Sequence, residues 1–191
     1  MNIRLLAIVL IALSTGCKMK AGQTQTNNST DTIISKSKMI ITSTAFHNDS
    51  TIPQQYTCQG EDISPALAWT GAPADAQSFA LLCEDPDAPG GTYIHWVIYN
   101  IPATERGLAE NFPKRDKLPN GTRQGVNDFK QMGYGGPCPP PGKAHRYYFK
   151  LYALDAMINI PGEATRDQLL NAMHGHILAE GETMGTYAKK L

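Results

Sequence analysis

A mainly β domain of antiparallel strands is the fold class this sequence predicts, and three observations predict it. Gly (17) and Pro (13) are frequent in a chain of 191 residues. Together they mark many turns, which favours short strands over long helices. Short β-branched and apolar runs alternate with those turns from Met39 onward. A clear helical pattern occurs only late, after Thr165.

The bulk composition sets the class further. Hydrophobic residues are 41% and charged residues 18%, as in an ordinary globular protein. The length suits one domain with a core of its own. Lys+Arg and Asp+Glu are both 17, so nothing steers the chain to nucleic acid or to an acidic membrane face.

The chain opens on a segment that reads as an export signal, residues 1–16. Arg4 precedes an unbroken apolar run from Leu5 to Leu13, the length of a signal core and too short to span a bilayer as a helix. Ser14, Thr15 and Gly16 follow, then Cys17. This resembles a bacterial lipoprotein signal, with Cys17 as the lipid attachment site and Ser14 standing where the usual signal has Leu. Residues 17–38 are rich in Thr, Ser, Asn, Gln and Lys. They bury too little to offset their ordering entropy and are expected to be a flexible tether. The folded domain is expected over 39–191. An exported protein anchored by lipid in the bacterial envelope follows as the expected location.

Within the domain, Met39 to Ser43 is a β-branched first strand, and Pro53 to Pro65 is loop. Ala66 to Trp69 is a brief strand. Ser78 to Glu84 (SFALLCE) is nearly all apolar, which suits a strand covered on both faces. Tyr93 to Asn100 is the next strand, with Pro102 closing it. Period-two alternation places Tyr93, His95, Val97 and Tyr99 on one face and Ile94, Trp96 and Ile98 on the other. Ala103 to Gly142 is long, irregular and rich in Gly and Pro, and a stretch of that kind is usually functional. His145 to Asp155 is a long strand with His145, Tyr147, Phe149 and Leu151 on one face. Thr165 and Gln168 then fit a capping box. Leu169, Met173 and Ile177 recur every four residues, so the helix is expected to pass Gly175 and stop at Gly181.

Three cysteines remain beyond Cys17. Cys83 lies inside an apolar strand and reads as a buried small hydrophobe. Cys58 and Cys138 lie in turn-rich loops, and export favours an oxidising compartment, so a Cys58–Cys138 disulfide is expected.

Three polar segments carry the chemistry. One is Asp85-Pro86-Asp87-Ala88-Pro89, directly after the buried strand. A second is His95-Trp96. The third is the run from Gly133 to Gly142, followed by His145-Arg146-Tyr147. Each alone reads as a turn, a strand residue or a rigid loop. Together they place acids at a strand end, a His on each of two strands, and a Gly-rich loop leading into the second His. Glycines let backbone N–H groups converge on an anion, and prolines stiffen the rim beforehand. The two imidazoles can donate to phosphate oxygens.

These residues resemble the phosphatidylethanolamine-binding protein family, which includes the Raf-kinase-inhibitor-like proteins. The resemblance rests on Asp85-Pro86-Asp87-Ala88-Pro89, His95-Trp96, Gly136-Pro137 and His145-Arg146-Tyr147. The loop from Tyr134 to Gly142, Ser64 to Trp69, and Gly175-His176-Ile177-Leu178-Ala179 are similar to the bacterial branch. The resemblance spans Met39 to Leu191. It implies two stacked antiparallel sheets with one or two peripheral helices, including a C-terminal helix, and a pocket on the larger sheet. It implies that Asp85, His95, His145, Tyr147, Gly136 and Pro137 line that pocket, with Asp87 and Trp96 in support. The ligand it implies is a small anion or a phosphorylated head group, bound without catalysis or cofactor. In such a group the phosphate would meet the imidazoles and the ammonium would approach Asp85 or an aromatic face. An envelope regulatory or inhibitory role accompanies it.

Other classes read less well. Asp85, His95 and His145 contain the ingredients of a two-His, one-carboxylate metal site, but no H-x-x-x-H or H-x-H spacing links them, and no metal is expected. Cys138 with His145 and Asp85 imitates a thiol triad, yet Pro137 and Pro139 flank the Cys. Arg106, Lys114, Arg115, Lys117 and Arg123 on the long loop offer a contact surface for an envelope protein partner, as in a protease or kinase inhibitor. A solvated basic loop is the plainer reading.

Overall fold

The computed structural model of the chain describes residues 37–190. The signal segment, Cys17 and the tether up to residue 36 lie outside the described residues. The strands, in chain order, are β1 (Ser37–Lys38), β2 (Ile40–Ser43), β3 (Ser50–Thr51), β4 (Leu67–Thr70), β5 (Ser78–Asp85), β6 (Tyr93–Pro102), β7 (Gly107–Leu108), β8 (Arg123–Gln124), β9 (His145–Leu154) and β10 (Ile177–Tyr187). One α-helix, α1 (Arg166–Met173), and a 3-10 turn at Gln54–Tyr56 complete them.

Two sheets result. The seven-stranded sheet runs β1-β10-β9-β5-β6-β8, with β3 also on β10, and the smaller one runs β2-β4-β7. The long strands pair antiparallel, while β1 and β3 join β10 in parallel. β1 pairs just ahead of the expected domain start at Met39.

β5 is central, and all eight of its residues are buried. Its apolar run is explained by cover on both faces. Phe79, Leu81 and Cys83 face the small sheet, where they join Ile41, Leu67, Trp69, Ile98 and Phe149. Ala80 and Leu82 face the opposite way, under α1, with Val97, Tyr99, Leu169 and Met173. The inner layer is locked by aromatic contacts such as Trp69 edge-on to Phe79, with ring centroids 5.3 Å apart.

Two expectations change here. The capping box is present at Thr165, whose backbone N–H donates to Gln168 Oε1 at 2.9 Å. The helix nevertheless ends at Met173, and Ile177 begins the longest strand. Gly175, at φ +85°, turns the chain out of the helix, and Ile177 enters register with Leu154. Ladder bonding along β9 and an inward row of Ala179, Gly181, Thr183, Gly185 and Tyr187 outweigh the four-residue apolar spacing. Gly181 is therefore a mid-strand residue, not a helix stop. A Cβ there would lie 2.6 Å from the Met39 carbonyl oxygen, so glycine is what lets the first strands cross β10 closely.

The second change concerns β6. Cys83 pairs with Trp96, yet Glu84 pairs with Ile94, so His95 is the extra residue of a β-bulge. The bulge breaks the alternation expected from the sequence. Ile94 joins Val97 and Tyr99 under α1, and Trp96 and Ile98 stay in the inner core. His95 does not share the face of Val97 and Tyr99. It packs edge-on against Tyr147 of the inner layer, centroids 5.1 Å apart.

Candidate functional site

The bulge gathers the predicted residues at one end of the large sheet. Asp85 is the last residue of β5, on the inner face with Cys83. His145 and Tyr147 open β9 on that same face, and His95 leans to it from β6. Asp85 Oδ2 accepts a hydrogen bond from His145 Nδ1 at 2.8 Å, and its Oδ1 accepts one from the Asp87 backbone N–H at 2.9 Å. Asp85, His95 and His145 are 3%, 2% and 7% exposed, and Tyr147 is fully buried. The cluster is therefore almost closed to solvent.

His95 is fixed by a two-point clasp. Its Nδ1 donates to the Gly135 carbonyl at 2.7 Å, and its own carbonyl accepts the Gly135 N–H at 2.8 Å. A carbonyl cannot donate, so Nδ1 carries the proton and Nε2 faces away from it. Burial lowers the tendency of His95 to take a second proton, although the Gly135 carbonyl and the Asp85 charge partly offset it. Tyr93 and Phe129 close the other sides, at 5.4 Å and 5.3 Å between centroids. Burial, and then the Asp85 charge, push the Tyr147 hydroxyl well above the usual phenol range. That hydroxyl keeps its proton and lies beside the Asp85 carboxylate, without a partner at full hydrogen-bond geometry among the described residues.

The loop bearing Gly136 and Pro137 is held differently from the anion cradle expected of it. The Gly135 N–H is committed to His95, and the Gly136 N–H donates to Asp62 Oδ1 at 2.6 Å. A Cβ on Gly136 would sit 2.4 Å from the Tyr56 carbonyl oxygen. Glycine there serves close approach between two loops, and neither of these amides is free for a ligand. The same loops are joined by the Cys58–Cys138 disulfide, as expected, and by a bond from the Cys58 N–H to the Pro137 carbonyl at 3.1 Å. With Cys138 bonded, the thiol-triad reading loses its nucleophile. Cys83 is a free, buried thiol.

Asp87 and Trp96 sit beside the cluster. Asp87 holds Arg146 through both carboxylate oxygens, at 2.7 Å to Nη2 and 2.9 Å to Nε, and accepts its backbone N–H at 2.9 Å. That fixes the start of β9, one residue after His145. Trp96 Nε1 donates to Gln124 Oε1 at 2.7 Å, and its ring packs on Tyr134. Of the basic loop residues, Lys114 pairs with Asp62, Arg123 pairs with Asp116, and Arg106 donates to the carbonyls of Ala103 and Glu105.

Sequence reasoning missed Phe129 and Asp62. Phe129 had one signal, an aromatic residue in an otherwise polar turn. Asp62, at φ +56°, had none, because its role depends on a loop 74 residues away. Two clefts, each about 270 Å³, are lined by none of Asp85, His95, His145 and Tyr147. One is lined by Glu84, Tyr148, Lys150 and Arg166. Lys150 and Arg166 each reach Glu84 at 2.7 Å, and Glu182 also lines the cleft, so its two cations are matched by two carboxylates.

The chain is similar to known proteins along most of its length. A family model described as phosphatidylethanolamine-binding protein matches residues 42–188. A UPF0098 protein of Methanothermobacter thermautotrophicus is 50% identical over 145 residues, covering 76% of this chain and 95% of the relative. The solved structure of a phosphatidylethanolamine-binding protein homolog from Chlamydia trachomatis has a TM-score of 0.73 and 42% identity, covering 80% of this chain and 99% of that one. Escherichia coli YbcL, described as a new member of the mammalian family, has a TM-score of 0.75 and 35% identity over the same shares.

Proposed function

The chain belongs to the phosphatidylethanolamine-binding protein family, and from that premise we propose that it binds a small anion or a phosphorylated head group at Asp85, His95, His145 and Tyr147, without catalysing a reaction. The observation that carries this reading is a buried cluster with polar atoms to spare. Asp85, His95 and His145 are each less than a tenth exposed, and the Tyr147 hydroxyl, beside Asp85, lacks a partner at full hydrogen-bond geometry among the described residues. Buried polar groups are normally paired, so an incompletely satisfied hydroxyl beside a buried carboxylate and two imidazoles is what a ligand would complete. Pro137 and the disulfide hold the rim in place before the ligand arrives, which limits the ordering cost of binding.

The expected setting is the envelope. The apolar run ending at Leu13 and the following Cys17 support export and lipid anchoring, and among the described residues no helix is long and apolar enough to cross a membrane. A regulatory or inhibitory role toward an envelope protein belongs to the same proposal. Metabolic labelling with a fatty-acid analogue tests the anchor: label on the wild type but not on Cys17→Ala supports it, and no label on either refutes it.

The binding claim is tested by titrating inorganic phosphate and O-phosphoethanolamine into the wild type and into His95→Ala/His145→Ala. Saturable binding lost in the double variant supports the claim. Equal binding by both proteins, or by neither, refutes it.

A further inference from the structure

We infer that Asp62 is a positioning residue for His95: it fixes the one peptide group whose carbonyl holds the imidazole, and so sets which ring nitrogen carries the proton. Its effect on a ligand rests on the anion-binding reading above; its effect on His95 does not.

Gly135 and Gly136 share one peptide group, and both of its polar atoms are taken. The carbonyl accepts from His95 Nδ1 at 2.7 Å, and the N–H donates to Asp62 Oδ1 at 2.6 Å. A peptide group is planar, with its C=O and N–H pointing opposite ways. Asp62 therefore holds one side of the plane and His95 the other. An ionised acceptor makes the N–H bond a strong one, and it polarises the carbonyl toward the ring. The Gly136 backbone also reaches the ring and supports a proton there. The other ties between these loops are the Cys58–Cys138 disulfide, the Cys58 N–H to Pro137 bond and the Tyr134 hydroxyl on the Tyr56 carbonyl. None of them touches this peptide group.

Glycine on both sides leaves this group unusually free to turn over. Turned over, it would aim its N–H at His95 Nδ1. The ring would then hold its proton on Nε2, and a second proton would set N–H against N–H. With the carbonyl in place Nδ1 keeps its proton, and Nε2 can take another when an anion arrives, because a nearby negative charge favours the charged ring. His95 is 2% exposed, so water does not stand in for a lost partner.

The backbone of Asp62 points the same way. Its φ is +56°, where glycine is unstrained and Asp or Asn are the side chains that best tolerate the conformation. A side chain kept there is one whose surroundings hold it. Lys114 Nζ reaches the Asp62 carbonyl at 3.2 Å and Oδ2 at 3.3 Å, which leaves Oδ1 to Gly136.

Nitrogen NMR of the isotope-labelled full chain at neutral pH reads the His95 tautomer, with His95→Ala identifying its signals. The wild type is expected in the Nδ1–H form. Asp62→Gly removes the acceptor while relieving the backbone, so the fold is kept and the Nε2–H form should appear. Asp62→Asn restores an acceptor oxygen and should restore the Nδ1–H form. Lys114→Ala loses only the ion pair and should match the wild type. Inorganic phosphate, titrated by calorimetry, should bind Asp62→Gly about tenfold more weakly than the wild type, with the Asn variant recovering most of the loss. An unchanged His95 signature in Asp62→Gly overturns the inference, whatever phosphate does. If Asp62→Gly fails to fold, Asp62→Glu takes its place, since it keeps the charge but displaces the acceptor, and an unchanged signature there overturns the inference equally. A moved signature with phosphate bound by no protein removes the anion-binding reading and leaves the positioning role standing.

Discussion

His95 and Trp96, consecutive in the chain, lean to the same side of the large sheet. His95 is the extra residue opposite the Cys83–Glu84 step of β5. Strict alternation would have sent it under α1, on the face away from Asp85 and Tyr147. The bulge returns it to the inner face, edge-on to Tyr147, and the ligand cluster depends on that one inserted residue.

The bulge gives the first prediction. His95→Ala leaves the Gly135 carbonyl without its side-chain partner in a buried place. A loss of about 1–3 kcal/mol is expected, read by urea unfolding, with the cooperative transition retained. Phosphate binding should weaken about tenfold or more. A variant that binds as the wild type does would remove His95 from the site.

Gly136→Ala tests the loop junction. Its Cβ would lie 2.4 Å from the Tyr56 carbonyl oxygen and 2.7 Å from Asp62 Oδ1. The first is backbone and cannot swing aside, so the loops must part. A cost of about 1–3 kcal/mol is expected from this overpacking. Gly142→Ala, where a Cβ meets nothing within 4 Å but φ is +131°, is the comparison that separates backbone strain from collision.

The disulfide joins residues 80 apart in sequence. Closing a loop of that size removes unfolded-state entropy worth about 4 kcal/mol. Cys58→Ser/Cys138→Ser should therefore lower the melting temperature by on the order of 10 °C. A reductant should do the same to the wild type, and a circular dichroism melt with and without it checks both. A reductant that leaves the melt unmoved would show that this bond carries little of the stability.

Acid stability reports on Asp87. The hydrogen bonds from Arg146 hold its carboxyl at about 2, below the ordinary 3.8. The folded value is depressed, so this stabilisation is present above about pH 4 and is lost as pH falls through about 2. Burial raises the Glu84 carboxyl, but the hydrogen bonds from Arg166 and Lys150 outweigh it, so Glu84 adds to the same acid loss. Arg146→Ala should lower the melting temperature at pH 6 and approach the wild type near pH 2. A constant gap across that range would contradict the assignment.

Much of this was legible in the chain. The buried strand at Ser78, the capping box at Thr165, the Cys58–Cys138 pair and the residues at the strand ends could be read because each is a local pattern or a familiar motif. What could not be read depends on pairing across the sheet. No property of His95 announces a bulge, since the extra residue is defined only against Cys83 and Glu84. The end of the helix is hidden because Leu169, Met173 and Ile177 keep helical spacing across it. The competing signal was the two-residue alternation from Ala179 to Tyr187, whose small residues make sense only once Met39, Phe46 and Ile52 cross them. The Gly-rich loop suggests an anion cradle only while its amides are free. Their partners, the His95 carbonyl and Asp62, come from distant segments.

The most direct test of the account is a crystal structure of the protein grown with phosphate. The account predicts one oxyanion within hydrogen-bond distance of His95 Nε2, His145 Nε2 and the Tyr147 hydroxyl, with Gly135 still clasping His95. An oxyanion bound instead between Lys150 and Arg166, with the Asp85 cluster holding none, would contradict it.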